Sequence, residues 1–409
     1  MEGMSETRPV RRIPPILEAE IAASRIEGIL AADDGLARHW RTEMAFIEAA
    51  ASVGMEDIRL AEASIIMRLT ANRQVEVDAR GAEQARRLVG LMARPPQLAR
   101  DAVAGLRRIE RAAAPIGVIP DEGDRLEDLE LEEIVSAALE KSATPLLAAL
   151  NGAADYAHRS RRSSPAAERL IFMALDSEAR RITRGGPALP EAGQGDPLLL
   201  AAEASWVVAP AASLSMGGFR IWSPISGAGA LIEAMSAHLG RELGHLGTLR
   251  HDLGKLDAAA ASARGRSRLA DFVALVKAQP ILTSARVVQD LGVTRKTALA
   301  LIETLEGQGC LVNFTARRAA RFWATPSLAG RLRHGRAIGH TPMSAGSECS
   351  PADAPRPEPR GLRDKDAEAA RLARIMADLD VALDGVDALL DRSSSQRGHG
   401  HVGSDPLDE

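Results

Sequence analysis

The stretch from Pro280 to Pro326 constrains this chain more than any other, because its punctuation leaves few ways to fold it. It reads PILTSARVVQDLGVTRKTALALIETLEGQGCLVNFTARRAARFWATP, which parses as helix, tight turn, helix and β-hairpin. Ser284 is an N-cap candidate, and Ala285 to Leu291 make a short helix that stops at Gly292. Thr294 caps a second helix running to about Gly307, whose apolar residues Ala298, Leu301, Ile302 and Leu305 recur at helical spacing. After Gly309, LVNFT and RFWAT have the β-branched and aromatic content of two short strands, with Ala316 to Ala320 as a basic tip. A helix-turn-helix sets its second helix in the DNA major groove, N-terminal residues nearest the bases. Here those residues are Thr294, Arg295, Lys296 and Thr297, two cations and two hydroxyls where phosphate and base edges need donors. Arg317, Arg318 and Arg321 sit on or beside the hairpin tip, where a wing touches the neighbouring backbone, and Arg286 lies on the first helix.

Charge points the same way. From Pro280 to His334 the cations Arg286, Arg295, Lys296, Arg317, Arg318, Arg321, Arg331 and Arg333 face only Asp290, Glu303 and Glu306, a net of +5, whereas the whole chain is −4. A basic module in a mildly acidic chain is the electrostatic footprint of a reader of double-stranded DNA. The competing reading is a winged helix used only for protein contact or dimerisation. Pattern and charge together favour DNA.

With 409 residues the chain is long enough for two or three domains. Aromatics are only 3%, so cores must be built from aliphatic helix formers, and strand-like runs are scarce outside the hairpin. The expected fold is mostly α: a multi-helix N-terminal and central domain, then a winged helix-turn-helix, then a flexible tail with one amphipathic helix. The boundaries fall at a flexible N-terminus 1–15, a helical domain 16–190, a helical segment 191–270, the winged module 271–335, a disordered linker 336–361, the amphipathic helix 362–392 and a disordered tail 393–409. Leu372, Met376, Leu379, Leu383, Val386 and Leu390 space as a heptad seam, which serves either a homodimer or an amphipathic helix folded back on the body. Cys310 reads as a small buried apolar residue and Cys349 lies in a polar stretch. No signal-peptide core or transmembrane-length run occurs, so the expected location is the cytoplasm, with no membrane partner.

Two charged stretches invite function. Asp121 to Glu133 holds eight carboxylates against Arg125 alone, read as acids favouring a helix start, with competition against DNA as the other idea. The arginines at 159, 161, 162, 180, 181 and 184 read as a solvated face rather than as phosphate contacts. Catalytic patterns are missing. GAGALIE lacks the lysine of a phosphate loop, and no paired-cysteine zinc motif occurs. His251, Asp252 and Lys255 in RHDLGK look like the core of HD-type phosphohydrolases, but the distant partner histidine has no candidate, so a solvated or capping His-Asp pair is preferred. No metal, cofactor or enzymatic activity is expected.

Two segments resemble Fic-family proteins, which transfer nucleotide groups to protein hydroxyls. EAEIAASRIEG is similar to that family's inhibitory helix, with Glu27 and Gly28 matching and Ala23, beside Ser24, at the Ser/Thr position. The winged segment resembles the one appended to many Fic proteins. The family's His-Pro-Phe-x-x-Gly-Asn-Gly-Arg motif is absent. A resemblance covering most of the chain, carried by RIPPILEAEIAASRIEGILAADDGLA and LTSARVVQDLGVTRKTAL, is to uncharacterised rhizobial, often plasmid-borne proteins that pair a helical domain of unknown function with a C-terminal helix-turn-helix. That resemblance implies DNA binding. The reading is therefore a DNA-binding transcriptional regulator; the alternative is a divergent, catalytically inactive Fic-like protein that uses the winged helix for protein contacts.

Overall fold

The structure, a computed structural model, describes residues 14–56, 58, 60, 62, 65–66, 79–116, 125–160, 164–186, 205–216, 222–263, 267–315 and 321–334. All of these fall in one compact unit, residues 1–341. The hairpin tip with Arg317 and Arg318, the linker, the heptad helix from Leu372 to Leu390, Cys349 and both termini lie outside the described residues. What is described is mostly helical with little strand.

Chain punctuation explains where the helices begin. Pro15 opens α1 (Pro15–Ala31) at a position whose N–H has no helical partner to lose. Asp33 then caps α2 (Asp34–Gly54) by accepting from Leu36 N at 3.0 Å. The body continues with α3 (Ala79–Ala93), α4 (Ala102–Ala113), α5 (Asp128–Lys141), α6 (Pro145–Arg159) and α7 (Pro165–Thr183). Asp101 caps α4, and Thr144 followed by Pro145 opens α6. The acidic stretch does start a helix: Glu127 N donates to Glu130 Oε2 at 2.9 Å at the head of α5. Two of its acids also pair with the body, Asp128 with Arg107 at 3.0 Å and Glu133 with Arg159 at 2.8 Å. Next come the short α8 (Pro210–Met216), the 34-residue α9 (Ala228–Ala261) and α10 (Leu269–Ala278).

Two helices are buried around much of their circumference and organise the rest. α2 packs against α1, α3, α8, α9 and α10, and α7 packs against α4, α5, α6 and α8. Such helices must also bury polar residues, and several of these are held across the body. Arg169 of α7 donates to Ser52 of α2 through Nη2, at 2.8 Å to Oγ and 3.2 Å to the carbonyl. Glu48 of α2 accepts from Ala211 N and Ala212 N at 3.1 and 2.8 Å, fixing the first turn of α8. Burial nonetheless pushes its carboxyl up to about 7.

The expectation of a solvated arginine face fails at Arg180. Its side chain is only 1% exposed and is bracketed by Asp176 at 2.9 Å, Glu20 at 3.0 Å and Glu27 at 3.1 Å. Arg184 adds a second contact to Glu27 at 2.6 Å, while Arg181 pairs with Glu178 at 2.9 Å. The carboxylates that neutralise Arg180 come partly from α1, about 150 residues away in sequence, which local charge pattern cannot reveal. Glu27, the residue matching the Fic inhibitory motif, is thus one side of a buried ion pair joining α1 to α7.

Candidate functional site

The C-terminal part of the unit is built from α11 (Ser284–Leu291), α12 (Arg295–Gly307), β1 (Val312–Asn313), β2 (Trp323–Ala324) and α13 (Pro326–His334). Thr283, not Ser284, caps α11: its hydroxyl accepts from Arg286 N at 3.2 Å, and Ser284 is already helical. Gly292 ends α11 with φ +61°, a left-handed conformation in which a side chain would be strained. The chain then reverses within three residues into α12. Ala298, Ile302 and Leu305 bury one face of α12, with Val287 of α11 also in the core.

The hairpin is antiparallel, with Val312 opposite Ala324 and Asn313 opposite Trp323. Its strands are shorter than the sequence reading, since regular pairing covers two residues on each side. Phe314 N continues the ladder to Phe322 O at 3.1 Å, and the two phenyl rings lie 6.2 Å apart. Leu282 exchanges both backbone hydrogen bonds with Trp323, at 2.9 and 3.0 Å, so the entry to α11 is tied to the second strand. Cys310 is buried at the foot of the hairpin, and burial raises its thiol pKa.

The predicted contact residues divide by what already holds them. Thr294, Arg295, Lys296 and Thr297 form the exposed first turn of α12. Thr294 is the N-cap, accepting from Thr297 N at 3.2 Å, and the two hydroxyls lie 2.9 Å apart. Arg286 belongs to a small polar cluster instead: its Nε donates to Asp290 at 2.7 Å, and Gln279 donates to the same carboxylate oxygen at 2.6 Å. Arg321 is exposed at the approach to β2.

Sequence reasoning missed the rear of this region. Arg331 of α13 is almost fully buried and forms ion pairs with Glu43 of α2 and, at 2.9 Å, with Glu242 of α9. Trp40 Nε1 donates to Glu242 at 3.0 Å, and His245 Nε2 meets Glu43 at 2.9 Å. Although burial opposes it, Arg331 and its neighbours hold the Glu242 carboxyl down at about 2. Burial also lowers His238, on the same helix, to about 4. A turn earlier in α13, Asp252 of α9 accepts from Ser327 N at 2.9 Å and from the Ser327 hydroxyl, capping the helix. The Asp of RHDLGK is therefore buried against the start of a distant helix, while His251 beside it is exposed, so the expected solvated or capping His-Asp pair holds only in the capping role of Asp252. His39 of α2 meets the Val276 carbonyl near the end of α10 at 3.2 Å, and burial lowers its pKa to about 4. No local signal marks these residues, because every partner lies on a distant helix.

Among the described residues, no group of three or more His, Cys, Asp or Glu side chains is placed to hold a metal, and no helix is long and apolar enough to cross a membrane. No family model matches the chain, and no curated protein matches it. Among solved structures it is similar to a Fic family protein from Desulfovibrio desulfuricans G20, at 13% identity over 78% of this chain and 98% of that one, with a TM-score of 0.36; a likeness at that level carries no argument.

Proposed function

We propose that this chain binds double-stranded DNA through a winged helix-turn-helix formed by α11, α12 and the hairpin, and acts as a transcriptional regulator. The observation that carries the reading is the first turn of α12. Arg295 and Lys296 stand exposed there between two threonine hydroxyls, on the second helix of a tight helical pair. In a helix-turn-helix that turn meets base edges and phosphates in the major groove. Arg295 and Lys296 contact the groove, Thr294 caps the helix and reaches phosphate, and Arg317, Arg318 and Arg321 hold the backbone from the hairpin. Arg286, already paired with Asp290, supplies a background positive field more than a direct contact.

The test is retention of genomic DNA fragments, including the chain's own promoter, by purified protein across a salt series. Selective retention with a steep salt dependence is expected, because neutralising phosphates releases counter-ions. Absence of binding at low salt would turn the module into a protein-contact element and bring the inactive Fic-like reading forward.

A further inference from the structure

α1 and α9 pack side by side and leave a groove of about 660 Å³ between them. Ser236 of α9 donates to Glu18 of α1 at 3.4 Å, and fourteen residues further along each helix Ala32 and Arg250 both line the groove. The two helices therefore advance in the same direction. Gly28, Ile29 and Ala32 of α1 and Leu243 of α9 give the groove an apolar lining, joined by Arg25 and Arg250. Both arginines are exposed, and neither has a hydrogen bond or an ion pair among the described residues. No carboxylate is among the described residues that line the groove. Leu17 and Ile21 lie on the same face of α1 as Gly28 and Ala32 and are 46% and 44% exposed, so the apolar surface runs on towards the head of the helix. Packing does not require Gly28. Nothing stands within 4 Å of the place a Cβ would take, although glycine inside a helix is less favourable than almost any other residue. Its missing side chain keeps the groove open.

We propose that the groove between α1 and α9 binds a small organic acid with an apolar chain, its acid group drawn by Arg25 and Arg250 and its chain laid on Ile29 and Leu243. Two cations with no acid beside them select an anion, and a guanidinium fork matches a carboxylate. The apolar lining rewards removal of a hydrocarbon chain from water. A volume of this size is that of a small-molecule site. The groove lies on the helical body and is independent of the DNA reading, so either can fail alone.

The experiment uses the full chain in low-salt buffer, where exposed cations are least screened. The probe is a fluorescent anilinonaphthalene sulfonate, an apolar body carrying one acid group, displaced by octanoate or by octanol. Saturable binding at one site is expected, with octanoate displacing the probe at a concentration at least about tenfold below that of octanol. The double variant Arg25→Gln, Arg250→Gln should lose that preference for the acid and leave displacement by octanol unchanged. Gly28→Leu should abolish probe binding by filling the groove, yet melt no lower than the parent, because leucine is the better helix former and meets no neighbour at its Cβ. Absence of saturable binding, equal displacement by octanoate and octanol, or unchanged affinity in Gly28→Leu overturns the proposal. So does a parent that is dimeric by light scattering, binds no acid and becomes monomeric in Gly28→Leu, which would put a second copy of the chain in the groove.

Discussion

The front and rear of the C-terminal region use the same residue type in opposite ways. At the front, Arg295 stands exposed on the first turn of α12; at the rear, Arg331 is buried between Glu43 and Glu242. Sequence alone counts both as part of one basic module. Their surroundings leave one exposed and tie the other into the fold. A net charge summed over a segment therefore overstates the charge available for binding, since part of it is already neutralised by distant helices. The rear contacts also mean that α13 is held to α2 and α9 by buried ion pairs, a much stiffer attachment than a linker would provide.

The comparison is most sharply tested at Arg331. Arg331→Met should destabilise the protein by about 3–5 kcal/mol, read as a urea midpoint, because Glu43 and Glu242 are left buried without their cation. The triple variant Arg331→Met, Glu43→Gln, Glu242→Gln should recover much of that loss; if it does not, the ion pairs are not the cause. The buried imidazoles give a pH signature of the rear. His39 and His238 have folded pKa values near 4, below the ordinary 6.5, so the unfolded chain takes up protons that the native state refuses. Their contribution is fully present above pH 6.5 and is lost as pH falls towards 4, by roughly 3 kcal/mol per imidazole. Urea titrations at pH 7, 6 and 5 should show this slope, and His39→Gln should remove its share; an unchanged slope would mean that His39 titrates normally.

At the front the expected cost is in binding and not in folding. Arg295→Ala should relax sequence preference by about 1–3 kcal/mol while leaving the melting temperature unchanged. If it alters stability and spares DNA affinity, the front and rear have been assigned the wrong way round. The smallest effect belongs to the cap on α13. Asp252→Ala should cost about 1 kcal/mol by orphaning Ser327 N, and it should do so without changing DNA affinity at saturating protein.

Much of this region was legible because its signals are local. Gly292, Thr294 and the apolar spacing of α12 act within a few residues, and the helices appear where those residues put them. Even the error at Ser284 is one of a single position, since Thr283 and Ser284 both offer a hydroxyl and backbone geometry selects the first. The arginines between 159 and 184 misled the reading because burial is not a local property. Arg180 looks like its exposed neighbours in sequence, yet α1 brings Glu20 and Glu27 to it. Glu27 itself drew attention through a motif resemblance and proved to be an ion-pair partner.

The sequence by itself determined the helical class, the order of α11, α12 and the hairpin, and the exposed polar turn at Thr294–Thr297, because capping, turn geometry and side-chain period act over a few bonds. Only the tertiary structure decided which charges are neutralised. Arg331, Asp252 and His39 find their partners across 75 or more residues, and Arg180 finds two of its three, Glu20 and Glu27, in the same way. Coulomb energy and desolvation depend on distance in space and on exclusion of water, and neither is written in the order of residues along a chain.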